Sequence, residues 1–71
     1  MDIKKEVGNR IKESRKSAGY TQLEIAQKLY MTQQQYSRFE NGVFELNYTQ
    51  LIELCTLFEI SADYVLGLKN Y

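Results

Sequence analysis

Apolar residues recur along this chain at spacings of three and four, the period of an amphipathic helix, and no stretch shows the strict alternation of a half-buried strand. Ile3, Val7 and Ile11 share one face of a first helix, which the pattern continues to Ala18. Gly19 follows, and glycine readily takes the left-handed conformation that ends many helices. The chain is therefore predicted to be helical almost throughout.

A helix-start pattern then occurs four times: an apolar residue, a capping residue, and a second apolar residue that can pack on the first. The four segments are Tyr20–Ile25, Met31–Tyr36, Leu46–Leu51 and Ile60–Val65. In the first three, the cap is Thr or Asn and a Glu or Gln stands three residues later, so both halves of a capping box are present. The fourth has Ser61 as its cap but Tyr64 in the reciprocal position, so only half of the box can form. These starts predict an all-α fold of five helices in one domain over residues 1–71.

The fourth helix, Tyr48 to about Phe58, is the most apolar of the five. Its apolar residues are Leu51, Ile52, Leu54, Cys55, Leu57 and Phe58. Because they are too many for the single stripe of a surface helix, we expect this helix to run through the centre of the core.

Composition limits the possible functions. A length of 71 residues suits one small domain. No apolar run approaches the roughly 20 residues that span a bilayer. Residues 1–10 lack the apolar stretch of a secretory signal. The lone Cys55 cannot form an internal disulfide. The sequence also contains no His, paired carboxylates, phosphate loop or nucleophile motif. We therefore expect a cytoplasmic protein that is not an enzyme, with no membrane segment and no metal or cofactor.

The formal net charge is zero, but the charges are unevenly distributed. Residues 1–38 carry eight basic and four acidic side chains, whereas residues 39–71 carry one basic and five acidic side chains. Such a dipolar domain can turn its basic end towards phosphate. The alternative is that the individual charges only form the solvated faces of amphipathic helices.

Residues 20–42 fit two short helices joined by a turn, and the second of these helices, predicted over residues 32–40, opens with polar side chains. Gln33, Gln34 and Arg38 are candidate base contacts in a DNA major groove, because Gln can bond adenine and Arg can bond guanine through paired hydrogen bonds. The alternative is a polar surface that only faces solvent. Candidate contacts to the DNA backbone are Gln22, Thr32, Ser37 and Asn41, although helix capping alone would also account for the Thr and the Asn.

Two charged residues are candidates for a structural ion pair. Arg15 lies on or near the apolar face of the first helix, and Glu40 ends the third helix beside Phe39. A bidentate pair between them would tie the first helix to the third.

From Arg10 to Gly67, about four-fifths of the sequence, the chain resembles without a gap the xenobiotic-response-element type of helix-turn-helix domain found in lambdoid phage repressors. The motifs that carry the resemblance are Arg10-Ile11-Lys12 with Arg15 and Gly19, Thr21-Gln22 with Glu24, Ala26 and Leu29, Thr32-Gln33 with Ser37, Arg38 and Glu40-Asn41-Gly42, Leu51 to Leu57, and Ser61 to Gly67. The resemblance implies a compact lambda-repressor-like fold whose second and third helices form the helix-turn-helix. It also implies sequence-specific binding of double-stranded DNA by a small bacterial or phage transcriptional regulator.

The resemblance implies a role for each candidate residue as well. The roles are base contact for Gln33, Gln34 and Arg38, backbone contact for Gln22, Thr32, Ser37 and Asn41, and a buried ion pair for Arg15 and Glu40.

Two departures from the family pattern matter. Tyr30 stands in the turn between the second and third helices, where the family often has Gly, so a bulky residue is predicted to adopt a left-handed conformation at a cost of about 1 kcal/mol or more. Val43 and Phe44 stand where many relatives have basic residues after the third helix. These two apolar residues leave open an antitoxin-like or other interaction module whose main partner is a protein.

A homodimer on a near-palindromic site is expected, because two recognition helices about 34 Å apart would double the contacts of one small domain. The apolar residues expected to supply the contact between copies are Tyr64, Val65, Leu66, Leu68 and Tyr71.

Overall fold

Five helices, and no strand, make up the part of the chain that the computed structural model describes, residues 2–70. In chain order they are α1 (Ile3–Ala18), α2 (Gln22–Lys28), α3 (Gln33–Glu40), α4 (Tyr48–Phe58) and α5 (Ala62–Val65). The predicted all-α, five-helix fold class is confirmed.

The helix ends form as the local sequence predicts. At the starts of α2, α3 and α4, the Thr or Asn side chain accepts from the third helical amide while the Glu or Gln there bonds back to the cap. These three capping boxes satisfy amides that have no partner within their own helix. Ser61 accepts from the Tyr64 amide at 3.0 Å, and Gly19 ends α1 in the left-handed conformation, with a φ of 83°.

The core forms where the five helices meet. α3 packs against α1 and α2, while α4 and α5 pack against α1 and against each other. The buried apolar residues are Ile11, Ile25, Ala26, Leu29, Tyr36, Phe39, Leu54, Cys55 and Val65. Val65 is therefore not available for the dimer contact expected at the C-terminal end, and Tyr71 lies outside the described residues.

The prediction that α4 runs through the centre of the core is wrong. Only Leu54 and Cys55 of this helix are buried, and Ile52 is 62% exposed. Leu51, Leu57 and Phe58 are only half-buried against the core, so α4 covers one side of it and leaves its own outer face uncovered. Within residues 2–70, no helix has both the length and the apolar character needed to cross a membrane.

A close approach between α1 and α3 depends on Gly8. A Cβ atom at this position would lie 2.4 Å from the carbonyl oxygen of Phe39 and 2.7 Å from that of Glu40. Both distances are shorter than any normal contact, and backbone oxygens in a helix cannot easily move aside. The absence of a side chain at Gly8 therefore sets how closely the two helices pack.

Gly8→Ala should destabilise the chain by about 1 to 3 kcal/mol, because overpacking against backbone outweighs the gain of about 1 kcal/mol that Ala normally brings to a helix. Urea unfolding followed by circular dichroism measures the difference. Asn9→Ala, at the exposed next position, is the control and should be neutral or slightly stabilising. Equal stabilisation by both substitutions would contradict the close approach.

The turn between α2 and α3 contains the predicted strained residue. Tyr30 has a φ of 56° and its side chain is 97% exposed. It therefore adopts a left-handed conformation that costs an L-residue about 1 to 2 kcal/mol, with almost no packing to offset the cost.

Tyr30→Gly should raise the free energy of unfolding by up to about 1 kcal/mol, because glycine adopts this conformation without steric strain. Gln27→Gly, at an exposed position inside α2, is the matched control and should lower it by about 1 kcal/mol. Thermal and urea unfolding of the two variants test this difference in sign. Loss of stability in both would show that Tyr30 makes contacts that its exposure does not reveal.

Candidate nucleic-acid interface

α2 and α3 form a rigid pair joined by a short turn. The Met31 amide donates to the carbonyl of Ala26 at 3.0 Å, which closes the end of α2, and the capping box at Thr32 then starts α3. Ile25 and Leu29 are buried against the same core as Tyr36. The turn and the shared core therefore fix α3 relative to α2.

The two faces of α3 have different roles. Tyr36, Phe39 and Glu40 are buried, and the exposed side chains of the helix are Gln33, Gln34, Gln35 and Arg38. Gln35 completes the capping box, but the other three make no hydrogen bond or ion pair to any described residue. The structure thus leaves the three candidate base contacts with their donors and acceptors free.

The candidate backbone contacts lie around this exposed surface. Thr32 is exposed, and because its hydroxyl accepts from the Gln35 amide at 3.1 Å, its own proton remains available for donation. Ser37 is half-buried on α3, and Asn41 is exposed immediately after the helix. These three residues, with the free side chains of α3, form one polar surface.

Arg15 and Glu40, the predicted ion pair, meet in the core. Arg15 Nε lies 2.7 Å from Glu40 Oε2, and Arg15 Nη2 lies 3.1 Å from Glu40 Oε1, so the pair is bidentate. Both residues are buried. Arg15 Nη1 also donates to the carbonyl oxygen of Tyr20 at 2.8 Å, which links the pair to the segment before α2.

Gln22, a candidate backbone contact, has a partner that the sequence did not predict. Its Nε2 donates to Glu40 Oε1 at 3.0 Å, and the residue is half-buried. One bond uses only one of the two amide protons of a Gln side chain, so the second remains free. Glu40 therefore joins α1, α2 and α3 through Arg15 and Gln22.

A family model described as helix-turn-helix matches residues 11–65. The chain belongs to the helix-turn-helix family. It is similar to two proteins of Bacillus subtilis (strain 168): the HTH-type transcriptional regulator ImmR, 39% identical over 61 residues, and the SPbeta prophage-derived uncharacterized HTH-type transcriptional regulator YonR, 36% identical over 59 residues. The matches cover 86% and 83% of this chain but 48% and 55% of the two relatives, so the chain spans about half the length of these curated relatives.

The family match agrees with the geometry of the helix-turn-helix. It covers α2, the turn and α3 in full, together with α4 and α5. The predicted resemblance to the lambda-repressor-like domain is confirmed at the level of family and fold.

The loop after the helix-turn-helix exposes apolar side chains. Val43 is 69% exposed and Phe44 is 40% exposed. These residues offer no charge to a phosphate. Among residues 2–70, no group of His, Cys, Asp and Glu is arranged to hold a metal ion.

The buried ion pair shifts the protonation of its members. Burial raises the pKa of Glu40, but the hydrogen bonds from Arg15 and Gln22 and the nearby Tyr36 hydroxyl outweigh this effect, so the pKa lies below its ordinary value of 4.5. Burial, together with the Glu40 carboxylate, holds the pKa of Tyr36 well above its usual range. The Tyr36 hydroxyl forms no hydrogen bond of normal geometry, so its influence on Glu40 is that of a nearby dipole.

Glu40→Gln should lower the free energy of unfolding by about 3 kcal/mol at neutral pH, because Arg15 would remain buried without its counter-charge. Since the native pKa of Glu40 is depressed, the stability added by its charge is complete above about pH 4.5 and is lost as the pH falls through the native pKa. The difference between wild type and variant should therefore shrink on acidification.

Urea unfolding at about pH 7 and about pH 3 measures this difference. Glu53→Gln, at an exposed position on α4, is the control and should change stability at neutral pH by less than about 0.5 kcal/mol. A Glu40→Gln deficit that is the same at both pH values would contradict a charged Glu40 in the native pair.

Proposed function

We propose that this chain binds duplex DNA sequence-specifically as a small transcriptional regulator, with the helix over residues 32–40 in the major groove. The observation that carries the proposal is the exposed face of α3, where Gln33, Gln34 and Arg38 have no partner among the described residues. Their amide and guanidinium groups have the hydrogen-bonding patterns that recognise adenine and guanine. Both relatives bear the name of HTH-type transcriptional regulators, which supports the same role here.

The proposed contacts divide into two classes. Gln33, Gln34 and Arg38 read base edges, and each well-formed pair of hydrogen bonds contributes about 1 to 3 kcal/mol of discrimination. The contacts that position the domain on the DNA backbone are Gln22, Thr32, Ser37 and Asn41. Gln22 donates one amide proton to Glu40 and the other to phosphate, so the buried ion pair orients a backbone contact.

The functional unit on DNA is a homodimer on a near-palindromic site. One 71-residue chain covers little DNA, whereas two recognition helices about one helical turn apart read two half-sites. The protein acts in the cytoplasm by binding, without a cofactor or catalytic step.

A second function, an antitoxin-like interaction module, is favoured by one observation. Val43 and Phe44 expose apolar surface in the loop that follows α3. Exposed apolar residues next to each other favour a protein partner over a phosphate backbone.

Selection from a randomised duplex library, followed by affinity measurements at several salt concentrations, tests the two functions. Wild type should enrich a two-fold-symmetric site and lose affinity as salt increases. Gln33→Ala and Arg38→Ala should each weaken the free energy of binding to that site by about 1 to 3 kcal/mol. Each should also tolerate more than one base pair at the position that the lost side chain contacts. Gln27→Ala, which removes an exposed amide of α2 outside the proposed contacts, should leave the affinity and the sequence preference unchanged.

No enrichment by the wild-type chain would overturn the DNA-binding proposal. Weak binding that neither substitution alters would assign the function to a protein partner at Val43 and Phe44.

A further inference from the structure

A groove of about 760 Å³ lies between the second half of α1, the end of α4 and the start of α5. Its apolar lining residues are Ala18, Leu57, Phe58, Ile60 and Tyr64. All of them except Ala18 are half-buried against the core. Apolar side chains that pack on the core therefore also form the floor of this groove.

Local contacts hold the walls of the groove in place. The Ile60 amide donates to the carbonyl oxygen of Cys55 at 3.0 Å, which closes the end of α4. The rings of Phe58 and Tyr20 pack together with their centroids 6.0 Å apart, which ties α4 to the segment after α1. The groove is thus already formed in the free chain and needs little ordering to bind a ligand.

The charges around the groove are mainly negative. Glu13, Glu59 and Asp63 line it, and Lys69 alone is basic among the described residues that do so. Lys69 Nζ lies 3.7 Å from Asp63 Oδ2, so these two charges offset each other. Glu13 and Glu59 have no ion-pair partner within residues 2–70. Two uncompensated carboxylates, one on α1 and one directly after α4, therefore lie beside the apolar floor.

The end of α4 adds to this negative potential. The last carbonyl groups of a helix carry a partial negative charge, which basic residues in the last turn often offset. α4 has no basic residue in its last turn, and its final residues Leu57 and Phe58 line the groove. The helix end and the two carboxylates therefore favour a positively charged ligand at the same place.

The shape of the groove indicates the kind of ligand. None of the described lining residues is buried, so the groove covers only one side of what it binds. A small-molecule site normally encloses most of the surface of its ligand. An open groove with an apolar floor instead fits an amphipathic polypeptide segment, which offers apolar side chains on one face and charged side chains beside them. We infer that this groove binds a basic, amphipathic segment of a partner protein.

The groove is separate from the surfaces discussed above. None of its lining residues belongs to α2 or α3, and none is a proposed DNA contact. Val43 and Phe44 do not line it either. The inference therefore goes beyond the proposed function and does not depend on it. A partner in this groove leaves the exposed face of α3 free, so partner and DNA can bind at the same time.

Glu59 allows a test that does not endanger the fold. It is exposed, and its φ of 55° is a left-handed conformation that glycine adopts without steric strain. Glu59→Gly therefore removes a carboxylate from the groove and should leave the chain about as stable as wild type. Glu13→Gln removes the other carboxylate at an exposed position on α1. Glu53→Gln, at an exposed position on α4 outside the groove, is the control for the loss of one negative charge.

The probe is a randomised library of linear peptides displayed on phage, selected on the folded 71-residue chain. Wild type should enrich peptides in which Lys or Arg stands beside apolar residues. One enriched peptide is then synthesised, and its binding is measured by calorimetry and by nitrogen-15 NMR spectra of the chain. The largest shifts should occur at the amides around Ser17 and Phe58.

The variants separate the groove from general electrostatics. Glu59→Gly and Glu13→Gln should each weaken binding of the peptide by about fivefold, and the double variant should weaken it further. Raising the salt concentration should also weaken binding to wild type. Glu53→Gln should bind the peptide as wild type does. Circular dichroism spectra of all variants should match that of wild type.

Enrichment of acidic or uncharged peptides, or no enrichment at all, would overturn the inference. Shifts at Phe44 in place of the groove would do the same, as would shifts that follow the concentration of the chain alone and so assign the groove to a second copy. Equal weakening by Glu53→Gln and Glu59→Gly would show a response to net charge only, which also contradicts it. Because no DNA is present, failure of DNA binding would overturn the proposed function and leave this test intact.

Discussion

The Arg15–Glu40 ion pair connects the parts of this domain that must keep a fixed geometry. Glu40 belongs to α3, and its carboxylate takes two bonds from α1 and one from Gln22 at the start of α2. Burying both charges costs desolvation energy, which offsets much of their attraction, so the pair adds little net stability to the fold. Its effect is geometric: any shift of α3 relative to the other two helices would leave a buried charge without a partner. Gly8 adds a second constraint at the same crossing, because only a residue without a side chain fits there.

These two constraints determine which face of α3 is presented to solvent. Tyr36, Phe39 and Glu40 are held inside, so Gln34 and Arg38, which lie on the opposite face of the helix, point outwards. Thr32 starts the helix through its capping box, which fixes where its first turn begins. The polar surface is thus positioned by buried contacts and by the cap, and Gln33, Gln34 and Arg38 themselves need no partner among the described residues.

Local features of the fold could be predicted from the sequence, whereas most long-range features could not. The Arg15–Glu40 pair is the long-range contact that was predicted, because both residues are charged and lie beside apolar faces. Capping boxes and the left-handed Tyr30 depend on residues within a few positions of one another. The burial of α4 depends on which helices fill the centre of the core, and its apolar composition gave the wrong answer. The bond between Gln22 and Glu40 and the close approach at Gly8 join positions that are 18 or more residues apart, and no local pattern encodes them. The predicted DNA contacts remain a prediction, because they require a partner that lies outside the chain.

The charges of the proposed contacts support the proposed homodimer. Of the seven proposed contacts, Arg38 alone carries a charge, and the loop after α3 offers Val43 and Phe44 in place of basic residues. Affinity from counterion release grows with the number of charged contacts to phosphate, so the seven proposed contacts by themselves supply little of this affinity. A second copy doubles both the base contacts and the charged contacts without any change in sequence. The same loop that offers no basic side chain exposes apolar surface at Phe44, so the free energy of binding must come mainly from hydrogen bonds to bases and from the number of half-sites occupied.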